Sequence, residues 1–101
     1  MPNTARHLKG ARNIIGPQVR KIRSQGGLSQ LELAARCQRM GWDLSRETLA
    51  KIELQTRWVA DFEVIFLAQA LDISHLSLLP DDRRTRTMAR DFIRRLETSV
   101  S

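Results

Sequence analysis

DLSRETLAKIE, residues Asp43–Glu53, decides how this chain is read. Ser45 is a good helix N-cap, and the residues after it hold no glycine or proline. On a wheel of roughly 100° per residue, Leu49 and Ile52 mark a narrow buried seam. Glu47, Ala50 and Lys51 lie opposite, with Arg46 and Thr48 on the flanks. A short helix with so small a seam shows most of its circumference, and its outward side chains are long enough to reach something else.

The flanking sequence supplies helices against which that seam can pack. Upstream, Ser29 and Glu32 form a capping box, and Leu33, Ala34 and Cys37 make an apolar seam that stops before Gly41. MGWDL then connects this helix 2 to helix 3. Earlier still, GPQVRKIRSQGG reads as helix 1. Pro17 suits its first turn, Ile15, Val19 and Ile22 form one stripe, and Gly26 and Gly27 end it. Downstream, LQTRWVA is a loop. Asp61 is expected to cap a fourth helix, with Ile65, Leu67, Ala68 and Leu71 facing inward. Ser74 opens a short fifth helix through HLSLL, and Pro80 follows it. In the tail, Asp81 and Asp82 favour the start of one more helix through its dipole. Met88, Phe92 and Leu96 recur there every fourth residue. The fold class is all-α: five helices and an additional C-terminal helix.

Composition narrows the function. The 101 residues suffice for one modest domain. No apolar run is long enough to span a bilayer, and MPNTARHLKG lacks the apolar stretch of a secretory signal. Cys37 is the single cysteine, so no internal disulfide forms and a reducing, cytoplasmic setting fits. His7 and His75 make no metal-ligand spacing with it. No phosphate loop, nucleophile elbow or acid–base pair is visible, so no enzyme and no cofactor are expected. The net charge is +6, and it is unevenly placed. Residues 1–30 carry Arg6, Lys9, Arg12, Arg20, Lys21 and Arg23 without an acid. Between Arg57 and Arg83 lie Asp61, Glu63, Asp72, Asp81 and Asp82 without a Lys or Arg. Such polarity suits a protein with one face toward a polyanion; a plain solvated surface is the alternative.

Two short helices joined by a tight connection can present the second to a DNA groove. Arg46 can fork onto guanine acceptors, and Glu47 can accept from the cytosine amino group. Lys51 can reach a base or a phosphate, and small Ala50 lets the helix approach closely. The same side chains also read as an ordinary charged face. Glu47, repelled by phosphates, can instead orient Arg46 or reject wrong bases.

IGPQVRKIRSQGGLSQLELA, then LSRETLAKIE, then LAQALDISHLSLL resembles the phage-repressor type of helix-turn-helix, the Cro and repressor or XRE class, over about residues 14–79. The resemblance implies a five-helix bundle whose helix 3 enters the major groove, and dimers that read two half-sites. It puts Ser45, Arg46, Glu47 and Lys51 at groove-facing positions, and Gln30 where a helix 2 glutamine meets a phosphate. Arg23 and Glu53 match an ion pair that holds the reading helix, with Arg23 also near phosphate. Arg57 falls in a loop that touches backbone, and Thr48 is assigned there too. Cys37 takes the place of a buried aliphatic residue. Two departures stand out. Ten residues separate Ala34 from Ser45, more than the family usually has, and Gln55 stands where a glycine often follows helix 3.

The chain accordingly divides into a basic N-terminal arm (1–13), a helix-turn-helix DNA-binding domain (14–80) and an amphipathic C-terminal helix (81–101). The expected function is a sequence-specific double-stranded DNA-binding regulator, a repressor on a palindromic operator. The alternative is an antitoxin or adaptor that binds a protein partner. The Met88, Phe92, Leu96 stripe either folds onto its own domain or makes a homodimer, or serves such a partner. No membrane association is expected.

Overall fold

The computed structural model of the protein describes residues 10–100, with side chains described up to residue 98. Among these residues the fold is all-helical. Four α-helices and a 3₁₀ turn follow one another: α1 Gly16–Gln25, α2 Gln30–Arg39, α3 Arg46–Glu53, α4 Asp61–Ala70 and the turn His75–Leu78. A last helix, α5, spans Arg83–Val100. The chain forms two compact units, of which one is Arg12–Pro80; α5 belongs to the other.

Local chemistry sets most helix ends. Proline at its first turn fits α1, and Gly27, with a φ of +72°, turns the chain away after it. The Ser29–Glu32 capping box is complete: the Ser29 hydroxyl accepts from the Glu32 N–H, and the Glu32 carboxylate accepts from the Ser29 N–H. Gly41, at φ +100°, starts the turn after α2, and Ser45 caps α3 through the Thr48 N–H. The extra residues between Ala34 and Ser45 are therefore shared between α2, which runs to Arg39, and an open turn. Gln38 Nε2 ties that turn down by donating to the Leu44 carbonyl at 2.7 Å. Trp42 packs on the core beside Phe66, with ring centroids 6.1 Å apart.

Three expectations need correction. Asp61 does not cap α4. The N-cap is Ala60, whose N–H donates to the Glu63 carboxylate, while the Asp61 carboxylate accepts from the neighbouring Phe62 N–H. Ile65 does not face inward either, being exposed; Val64, Leu67, Ala68 and Leu71 form the inner arc. The fifth helix is a 3₁₀ turn, opened by the Ser74 hydroxyl at the Leu76 N–H.

A single core unites α1 to α4 and the turn. Ile15, Val19, Leu33, Cys37, Leu44, Leu49, Ile52, Leu67 and Leu78 are almost completely buried in it. Each buried aliphatic side chain of this size stabilises the fold by about 1.5–3 kcal/mol. α3 lies against both α1 and α2, and α4 against α2 and the turn. Arg36 of α2 donates to the Ala70 carbonyl at the end of α4.

In the other unit, α5 starts with the Asp82 carboxylate accepting from the Thr85 N–H, and Arg86 pairs with Asp81 at 2.9 Å. Met88 and Phe92 are half-buried, whereas Ile93 and Leu96 are exposed. Most of the expected N-terminal arm lies outside the described residues. Its end is not an arm: Arg12 and Asn13 are hydrogen-bonded into the domain.

Candidate nucleic-acid interface

Every polar candidate on α3 is placed by what its inner face does. Leu49 and Ile52 are fully buried, and Glu53 is 7 % exposed. The outer face is thereby turned to solvent. Arg46 and Glu47 are exposed neighbours with 3.6 Å between guanidinium and carboxylate, and Lys51 is exposed one turn further on. Ala50, half-buried between them, adds no bulk. A surface of this kind can offer a forked donor, a carboxylate acceptor and an ammonium along one side of a helix.

Ser45 and Thr48 are differently occupied. The Ser45 hydroxyl accepts from the Thr48 N–H and donates to Thr48 Oγ1 at 2.9 Å. Its proton and one lone pair are committed to the cap, so Ser45 acts first on the start of the helix. Thr48 is half-buried beside it.

At the other end of α3, a charged network fixes the helix to α1 and α2. Arg23 Nε and Nη2 donate to the two Glu53 carboxylate oxygens at 2.7 and 3.0 Å. Arg23 Nη1 donates to the Leu28 carbonyl at 2.8 Å, and Gln30 Nε2 donates to Glu53 Oε1 at 3.0 Å. The hydrogen bond to Glu53 raises the Arg23 pKa above its already high value, against burial. A bidentate pair this sheltered is geometrically specific. It engages both Arg23 and Gln30 inside the protein, beside the exposed face.

Arg57 is engaged as well. Its guanidinium donates to both Glu63 oxygens, at 2.9 and 3.2 Å, and to the Trp58 carbonyl at 3.0 Å. Burial alone would raise the Glu63 carboxyl. The Arg57 hydrogen bonds and the Ala60 N–H outweigh it and hold the pKa below the ordinary glutamate range. Arg57 thus fastens the loop after α3 to the start of α4.

Sequence reasoning missed one set of contacts at this end. Asn13 Nδ2 donates to the carbonyls of Ile52, at 3.1 Å, and Arg57, at 2.9 Å, while its Oδ1 accepts from the Gly16 N–H. Gln55 Nε2 donates to the Asn13 carbonyl, and the Arg12 N–H to the Gln55 carbonyl. Gln55 has φ +65°, so it adopts the left-handed conformation for which glycine is the usual choice. One signal was available: an Asn three residues before a helical N–H is a capping pattern.

Cys37 is a core residue. Burial pushes its thiol up to about 11, which keeps it protonated and inert at neutral pH.

A short helix locked by its inner face, with a polar outer face and a preceding helix joined through the turn that Gly41 opens, defines a helix-turn-helix domain. The family model described as helix-turn-helix matches residues 19–78, more than half of the chain. The chain belongs to this family, in its XRE-type, Cro and repressor class. The family is one of DNA-binding regulatory domains, not of enzymes. No curated protein and no solved structure matches the chain significantly. No helix of the described residues is long and apolar enough to cross a membrane.

Proposed function

We propose that this protein is a sequence-specific double-stranded DNA-binding transcriptional repressor that acts in the cytoplasm as a homodimer on a palindromic operator. The observation that carries the reading is the outer face of α3. Arg46, Glu47 and Lys51 stand exposed on a helix whose opposite side is locked by Leu49, Ile52 and the Glu53 network. In the major groove, Arg46 forks onto guanine O6 and N7, and Glu47 orients it or accepts from a cytosine amino group. Lys51 reaches a base or a phosphate, and Ser45 lies at the groove-facing end. Gln30, Arg23, Thr48 and Arg57 lie toward the backbone and set register rather than sequence. Exposed apolar side chains are available for association of copies: Phe62, Ile65, Leu76 and Leu79 on the domain, and Ile93 and Leu96 on α5.

Selection from a random duplex library at fixed salt tests the reading. The wild-type chain should recover a two-fold symmetric site. On that site Arg46→Ala should lose about 1–3 kcal/mol of binding free energy and relax preference at one base position per half-site. Retention of full affinity and unchanged preference by the variant would remove Arg46 from the interface. Failure of the wild type to enrich any sequence would end the reading altogether.

A further inference from the structure

We infer that Asn13 is a positioning residue for DNA reading: its side chain suspends the C-terminal end of α3 and so sets the aim of the helix. The inference rests on the function proposed above and deepens it.

The geometry is specific to this corner. Nδ2 of Asn13 supplies both its donors, one to Ile52 in the last turn of α3 and one to Arg57 in the loop beyond. Oδ1 takes the Gly16 N–H, so the same side chain holds the start of α1. One amide thereby joins three segments with all its donors and one acceptor used. α1 comes so close to α3 here that a Cβ on Gly16 would collide with the Ile52 carbonyl oxygen. The Ile52 carbonyl accepts from the Gln55 N–H at 3.0 Å within its own turn, and Asn13 adds a second donor from the α1 side. Gln55 locks the arrangement from below, bridging to the Asn13 carbonyl from its left-handed turn.

The consequence for reading follows from leverage. α3 is eight residues long, and Lys51 lies next to the clamped residue Ile52. A helix tied just before its start by Gln38 through the Leu44 carbonyl, and at its C-terminal end by Arg23 and Gln30 through Glu53 and by Asn13 through Ile52, has little freedom to tilt. Tilt moves the tips of Arg46 and Lys51 furthest, and directional contacts to base edges tolerate small errors poorly. Asn13 and Gly16 precede the segment matched by the family model, residues 19–78. The family assignment therefore does not supply this clamp.

The test separates aim from stability. The readout is the ratio of affinities for the selected duplex and a scrambled one, at fixed salt and well below each variant's unfolding temperature. Asn13→Ala should lower that ratio by roughly tenfold, the order of one good base contact, while non-specific affinity holds. Val64→Ala, which trims the packing of α4 on the core and removes no hydrogen bond that holds α3, should lower the unfolding temperature and keep the ratio. If Asn13→Ala does not fold, Asn13→Asp carries the same comparison, because aspartate keeps the oxygen that accepts from the Gly16 N–H and loses both donors to Ile52 and Arg57; its ratio should fall in the same sense. A ratio unchanged within twofold beside a discriminating wild type would overturn the clamp alone. A wild type that discriminates between no duplexes would overturn the clamp together with the proposed function.

Discussion

The Glu53 carboxylate accepts three hydrogen bonds, from Arg23 Nε, Arg23 Nη2 and Gln30 Nε2, on a side chain 3 % exposed. Glu53→Ala would leave a sheltered guanidinium facing a void, and losing one member of such a pair costs about 3 kcal/mol. Urea unfolding of the variant should show that loss as a lower midpoint with little change in slope. At this scale the sequence was unevenly legible. The Arg23 and Glu53 pairing, across the chain from α1 to α3, was readable only through the resemblance of the surrounding segments, since nothing local in either residue calls for the other. Asn13 was not readable in that way, because its side-chain partners are backbone groups, which every residue carries. Gln55 was noticed as a departure, and the structure gives the reason it is tolerated: its own amide is bonded to the Asn13 carbonyl, which helps to offset the cost of a positive φ.

Short helices are marginal by themselves, so the caps of α3 matter in proportion. Ser45 holds the first turn through the Thr48 N–H and Oγ1. Ser45→Ala should cost about 1 kcal/mol, and Ser45→Asp, which retains an acceptor, should recover most of it. Thermal unfolding of the two variants measures the difference. Capping chemistry is local, which is why the starts of α2 and α3 were legible from a few residues. Facing was legible where polar and apolar residues alternate with helical period, as in α2. It failed in α4, where Phe62, Val64, Ile65, Phe66, Leu67 and Ala68 are apolar all round. There, the choice between Ile65 and Val64 for the inner side is made by contact with the core, not by the pattern. Asp61 misled for a related reason. Its type is right for a cap, but Asp61 is itself the first helical residue, and Glu63 satisfies the Ala60 N–H from within the first turn.

Over the whole molecule, acid is expected to weaken the fold. The Ser29 backbone N–H and hydroxyl hold the Glu32 carboxyl below the ordinary range, and Arg57 with the Ala60 N–H does the same for Glu63. A carboxylate with a lowered folded-state pKa binds protons more readily when unfolded. Its contribution is complete above the unfolded-state value and disappears as pH falls through the folded-state one. Unfolding midpoints should therefore be level near neutrality and drop below the usual glutamate range. Glu63→Gln should flatten part of that drop, as seen by circular dichroism across a pH series. The broad architecture was legible because capping, turns and seams agreed from Ser29 to Pro80. The limits of the domain were less so: Arg12 and Asn13 read as part of a basic arm, and only their long-range partners bring them inside. The ion pairs around the reading helix also govern how this surface would meet ionic strength. Arg23 and Arg57 already have carboxylates of their own chain as counter-charges, so neither would displace a full cation from a duplex on docking. The decline of affinity with added salt should therefore be shallower than a census of the basic residues near α3 suggests, with Lys51 contributing most of it on this helix, since Arg46 has Glu47 beside it.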